Sequence, residues 1–211
     1  MADQSNTTQT NQIKAVDLGI LIDTSGTMSE PFANGKNRLE AVEENALAFA
    51  REAEKVDQDG ILIGRFAGKV RINDNAKADD LKKIFQEYRA MGMTNTKEAV
   101  EKASEIMLNK RKADGDKAKS CMLVIFTDGE PDDKVGLAQV IVNITHQIKD
   151  RTEFGILFIQ VGNDADATRY LQILNNELSG RGADHDIVAV AKLEDMEDQT
   201  LQDLIDAAFN D

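Results

Sequence analysis

The feature that most restricts this chain's fold is the alternation of short, β-branched apolar runs with longer stretches of helical period. Residues 16–22, 122–127 and 154–161 are such runs. Each is too short for a core helix and apolar at successive positions, which marks a strand covered on both faces. Between them, Leu39, Val42, Ala46, Phe49, Ala53 and Val56 recur at three- and four-residue steps, so residues 37–56 form an amphipathic helix. Residues 60–67 and 70–73 read as strands joined by Gly68-Lys69, a hairpin.

A short helix is expected over 79–88, and another opens at Asn95, an N-cap with Glu98 three residues on. Residues 109–119 read as a basic, glycine-containing connection in solvent. Residues 135–148 contain the β-branched Val140-Ile141-Val142, but their length favours a helix. Helices over 167–178 and 198–209 and a strand over 187–191 complete the chain. The expected fold class is α/β, three-layered and Rossmann-like. A central, mostly parallel sheet of about six strands carries one antiparallel edge strand, with helices on both faces.

A chain of 211 residues suits one such domain. Residues 1–13, rich in Gln, Asn, Thr and Ser, read as a disordered polar leader, and residues 14–211 as the domain. The net charge of −13 argues against nucleic acid and anionic membranes as partners. No apolar run approaches the ~20 residues of a membrane span, and residues 1–12 lack the apolar core of a secretion signal. The single cysteine, Cys121, opens an apolar run and reads as a buried structural thiol. The expected location is the cytoplasm.

Open parallel sheets bind ligands beyond the carboxyl ends of their strands. Asp23, Ser25 and Thr27 follow the first strand at steps of two, Asp128 follows the strand near Cys121, and Thr94 stands at the mouth of a helix. Two carboxylates and three hydroxyls form an all-oxygen set, suited to a hard cation such as Mg²⁺. Alone, the carboxylates would repel and one would retain a proton; a divalent ion cancels both charges. It also keeps a coordination position for one further oxygen, ideally a carboxylate from another molecule.

The segments Asp23-Thr24-Ser25-Gly26-Thr27, Gly92-Met93-Thr94-Asn95 and Thr127-Asp128-Gly129 resemble the von Willebrand factor type A (vWA) domain family. They match its metal-ion-dependent adhesion site (MIDAS): Asp-x-Ser-x-Ser, a distant Thr and a distant Asp. Thr27 departs from the usual Ser but keeps the hydroxyl. The resemblance covers about residues 14–210. It implies that Ser25, Thr27 and Thr94 ligate the metal directly, and Asp23 and Asp128 directly or through water. It implies no enzyme, but a module for metal-dependent protein–protein interaction (an adaptor or scaffold), in which a partner Glu or Asp completes the sphere of Mg²⁺, with Ca²⁺ or Mn²⁺ as alternatives. It also implies a shift of the metal loops coupled to the last helix.

Two other readings compete. The first segment also resembles the nucleophile loop of haloacid dehalogenase-like phosphatases, with Asp23 attacking phosphorus and Lys97 or Lys119 as the phosphoryl-stabilising lysine. There the residue two on should be an acid, and Ser25 cannot exchange protons near neutral pH as a carboxyl does. In the second, the metal is purely structural and a partner docks elsewhere, for instance on the apolar helix over 135–148. His146 and His185 have no Cys or His at ligand spacing, and Asp57-Gln58-Asp59-Gly60 and Asp164-Ala165-Asp166 lack the closing Glu of a calcium loop; both read as solvated turns. Glu30, Glu130, Asp132 and Asp133 form a solvated acidic rim, or one that recruits the cation.

Overall fold

The computed structural model describes residues 16–56, 59–87, 90–198 and 201–210. The leader expected over 1–13, its boundary at residue 14, and Asp57 and Gln58 lie outside the described residues. In chain order the elements are β1 (Val16–Asp23), α1 (Arg38–Val56), β2 (Ile61–Phe66), β3 (Val70–Ala76), α2 (Ala78–Glu87), α3 (Thr96–Asp114), β4 (Ser120–Thr127), α4 (Lys134–Thr145), β5 (Phe154–Gln160), α5 (Ala165–Asn176), β6 (Val188–Lys192) and α6 (Leu201–Asn210). The six strands form one sheet in the order β3-β2-β1-β4-β5-β6. Only β3 runs antiparallel, closing the hairpin with β2. Among the described residues, no helix is long and apolar enough to cross a membrane.

The pleat sends successive side chains to opposite faces, and both faces are apolar. Ile20, Ile22, Val124, Phe126, Leu157 and Ile159 pack with α1, α2 and α6. Leu21, Leu123, Ile125, Ile156 and Phe158 pack with α3, α4 and α5. From β1 the chain moves to β2 on one side, and from β4 it moves to β5 on the other. The crevice between the carboxyl ends of β1 and β4 is therefore the topological switch point of the sheet, where such folds bind ligands.

Two expectations need correction. Residues 109–114 are helix and only 115–119 connect: α3 continues to Asp114 and ends at Gly115, whose φ of 56° suits a residue without a Cβ. Its basic residues make pairs within the chain. Lys110 Nζ lies 2.8 Å from Asp17 Oδ1 at the amino end of β1, and Arg111 Nη2 lies 2.9 Å from Glu153 Oε1. Cations in the last turn also complement the helix dipole. Nor is the apolar surface of α4 open to a partner: Leu137, Ala138, Val140, Ile141, Val142 and Ile144 are buried, and Val135 alone of its large apolar residues is exposed.

Candidate metal centre

Parallel pairing of β1 with β4 sets Ile22 opposite Phe126, so Asp23 and Thr127 end the two strands side by side. Thr127 Oγ1 donates to Asp23 Oδ2 at 2.8 Å, and the Ser25 N–H donates to Asp23 Oδ1 at 2.8 Å. Asp23 is fully buried. That burial pushes its carboxyl up to about 6, helped by the nearby Asp128 charge and opposed by the hydrogen bonds from Ser25 and Thr127.

The chain then enters a 3-10 turn, Gly26–Ser29. Ser25 occupies the N-cap position of that turn but its side chain caps nothing. Its Oγ lies instead 3.2 Å from Thr27 Oγ1, which donates to Asp128 Oδ1 at 3.0 Å. Because the Thr27 proton is committed to Asp128, the Ser25 hydroxyl is the donor in their pair. Asp128 is itself buried. Four of the five expected residues thus form one hydrogen-bonded series at the crevice.

The loop that carries Thr94 is tied to the first loop by backbone bonds, with no side-chain bond from Thr94 to the series among the described residues. The Gly26 N–H donates to the Gly92 carbonyl at 3.2 Å, and the Met91 N–H to the Thr24 carbonyl at 2.9 Å. The Thr94 carbonyl accepts from the Asp132 N–H at 3.1 Å. The Asn95 cap forms as expected, accepting from the Glu98 N–H.

Two residues join the site that sequence reasoning gave no role. Thr127 fixes the Asp23 carboxylate through strand register. Arg38, at the start of α1, places Nη1 2.7 Å from Asp128 Oδ2 and Nη2 3.0 Å from Glu30 Oε2. A basic residue in the first turn opposes the helix dipole unless anions compensate it, and that mismatch was the available signal.

The donor set suits a divalent ion. Turn chemistry accounts for the Ser25 N–H bond to Asp23, but not for the Ser25 and Thr27 hydroxyls, which bond to each other, or for Asp128, which accepts from the Thr27 and Arg38 side chains. Among the described residues no three His, Cys, Asp or Glu converge as metal ligands, so an ion here would have two carboxylates and neutral hydroxyls, the set that favours a hard cation.

The rim is not simply solvated. Glu130 pairs with Lys134, Asp133 with Lys97 at 3.1 Å, and Glu30 with Arg38. Met91, Met93 and Val135, three of the four exposed large apolar side chains among the described residues, stand on the loops and helix start around the crevice.

The phosphatase reading finds no support. Lys97 is taken by Asp133, and Lys119 precedes β4 at the opposite end of the sheet, 2.7 Å from Asp59. Asp164, read as part of a solvated turn, is the N-cap of α5, and His146 Nε2 donates to the Gly182 carbonyl.

The family model for the von Willebrand factor type A domain matches residues 18–130. Among solved structures, the chain is similar to manganese-loaded TRAP protein from Plasmodium vivax, with a TM-score of 0.61 and 16% identity over 93% of this chain and 73% of that one. It is also similar to the PilB minor pilin from Streptococcus sanguinis, with a TM-score of 0.59 and 11% identity over 92% of this chain. The match spans 63% of the pilin chain. At these identities the likeness shows the fold alone. A comparison with curated proteins gives no match.

Proposed function

Because the chain belongs to the von Willebrand factor type A domain family, we propose that it is a divalent-metal-dependent protein–protein interaction module and not an enzyme. Asp23, Ser25, Thr27, Thr94 and Asp128 hold Mg²⁺, with Mn²⁺ or Ca²⁺ as substitutes, and a partner Glu or Asp completes the coordination sphere. The observation that carries this reading is the hydrogen-bonded series from Asp23 through Ser25 and Thr27 to Asp128 at the switch point of the sheet, with Asp23, Ser25 and Asp128 buried and Thr27 exposed. The ion supplies an electrophilic position for an outside carboxylate. The chain's own residues orient it: Thr127 and the Ser25 N–H aim Asp23, and the Met91 and Gly92 backbone bonds hold the Thr94 loop against the first loop.

Met91, Met93 and Val135 give the rim an apolar contact area, so the partner's acid group sits among apolar side chains. Manganese in the TRAP structure supports a site for a divalent ion on this fold. The free, buried Cys121 is compatible with the cytoplasm, which we propose as the location.

Calorimetric titration with Mg²⁺ and Mn²⁺ tests the metal. The wild-type chain binds, and Asp23→Ala and Asp128→Ala do not, while all three keep the same circular dichroism. The immobilised chain then retains protein from the source lysate in Mg²⁺ and releases it in chelator. Retention that persists in chelator would favour the scaffold with a structural ion. Phosphate-ester turnover lost in Asp23→Asn would revive the enzyme.

A further inference from the structure

We propose that the Arg38 guanidinium is a resident counter-cation that competes with the divalent ion for Asp128, and that it must move from Asp128 onto Glu30 when the site is loaded. The inference rests on the metal reading above and adds a control to it.

Arg38 lies between two acids in different surroundings. Asp128 has a fully buried side chain, whereas that of Glu30 is 55% exposed, and Arg38 itself is 17% exposed. Nη1 serves Asp128 at 2.7 Å and approaches the Thr27 carbonyl at 3.4 Å, and Nη2 serves Glu30 at 3.0 Å. Its Nε is buried without a partner, so this seat does not satisfy all the donors of the guanidinium. The loop after β5 leaves the room it needs. Gly162 has a φ of 81°, and a Cβ there would stand 3.2 Å from Nε and 3.5 Å from Cζ and Nη2. The glycine is a flat wall against one side of the arginine.

Both oxygens of Asp128 are therefore engaged from within the chain, Oδ1 by the Thr27 hydroxyl and Oδ2 by Arg38. The hydroxyl only has to rotate to expose a lone pair. Arg38 carries a full charge at any accessible pH, and two cations on one buried carboxylate repel. Counting Asp23, Asp128 and Arg38, the ion-free site carries one net negative charge in place of two, so its loops stay together without an ion. With a divalent ion added the same count becomes one positive charge, which Glu30, taking over Arg38, brings to zero. Arg38 thus weakens ion binding.

Titration of Mn²⁺ into the full chain tests this with Arg38→Gln and Arg38→Lys. Removing a charge-assisted bond to a buried acid changes an equilibrium by roughly 10- to 100-fold. Arg38→Gln is therefore expected to bind Mn²⁺ tighter than wild type by that factor. Arg38→Lys, with one ammonium that cannot bridge both acids, falls in between. In chelator the Gln variant unfolds at a lower temperature than wild type, and in saturating Mn²⁺ that order narrows or reverses. A merely structural arginine predicts the opposite sign, weaker ion binding on its loss. Equal or weaker Mn²⁺ affinity in Arg38→Gln overturns the inference, and if that variant does not fold, the same reading of Arg38→Lys decides. Absence of Mn²⁺ binding in wild type and variants sinks the metal site itself along with this control; equal binding in all sinks the control alone.

Discussion

Asp23 is the residue on which the ion-free protein should be most sensitive. Its folded carboxyl titrates at about 6 against an ordinary 3.8, so between those values the folded chain holds more protons than the unfolded one. Stability conferred by this group is complete below about pH 4 and is lost as pH rises through 6. The penalty at neutral pH is on the order of 3 kcal/mol. Asp23→Asn keeps an acceptor for the Ser25 N–H, and Thr127 can turn its proton to the Gly129 carbonyl, 3.4 Å away. In chelator at pH 7.5 the Asn variant should therefore be more stable than wild type in urea unfolding, and the two should converge near pH 4. A wild type that gains stability from pH 4 to 7 relative to the variant would contradict this. Cys121 is a second such residue. Burial, with the Asp17 charge behind it, pushes its thiol up to about 12, so iodoacetamide should leave it unmodified in the native chain and label it only on unfolding. Of the candidate site, the series Asp23, Ser25, Thr27 and Asp128 was legible because each follows a strand in a short polar segment. The parts of Thr127 and Arg38 were not. One depends on the register of β1 against β4, and the other spans 90 residues from α1 to Asp128.

Elements were legible where period and burial agree. The strands β1, β4 and β5 are apolar on both faces, and α1 shows its stripe. The end of α3 was hidden because its last turn is charged apart from Ala113, so no apolar stripe marks it; what keeps it helical is propensity together with the ion pairs to Asp17 and Glu153. The docking of α6 was equally out of reach, since it depends on a gap in another element. A Cβ at Gly155 of β5 would lie 3.0 Å from the Ala208 carbonyl oxygen and 3.1 Å from Phe209 Cε1. The carbonyl belongs to backbone and cannot step aside alone, so Gly155→Ala lifts α6 from the sheet. Overpacking of this kind costs about 1–3 kcal/mol, to be read as a lower urea midpoint with an unchanged slope. A midpoint equal to wild type would show that α6 is not seated on Gly155.

At the scale of the whole molecule, the candidate site is where segments far apart in sequence are gathered: the loop after β1, the loop before α3 and the loop after β4. An ion bound there favours the folded chain, which holds those loops together, over the unfolded chain, which does not. At a hundred times its dissociation constant it stabilises by about 2.7 kcal/mol. For a domain of this size each kcal/mol moves the midpoint by roughly 2–4 °C, so saturating Mg²⁺ should raise it by about 5–10 °C over chelator. The gain should depend on pH in a set direction. Below about 6 the ion must displace a proton from Asp23, so apparent affinity at fixed Mg²⁺ falls by up to roughly tenfold per pH unit. The Mg²⁺-induced shift therefore shrinks between pH 7 and 5, and Asp128→Asn removes most of it at every pH. Scanning fluorimetry across that range, with and without chelator, checks all three. A shift that is the same at pH 5 and 7, or that survives in Asp128→Asn, would place the ion elsewhere on this acidic chain.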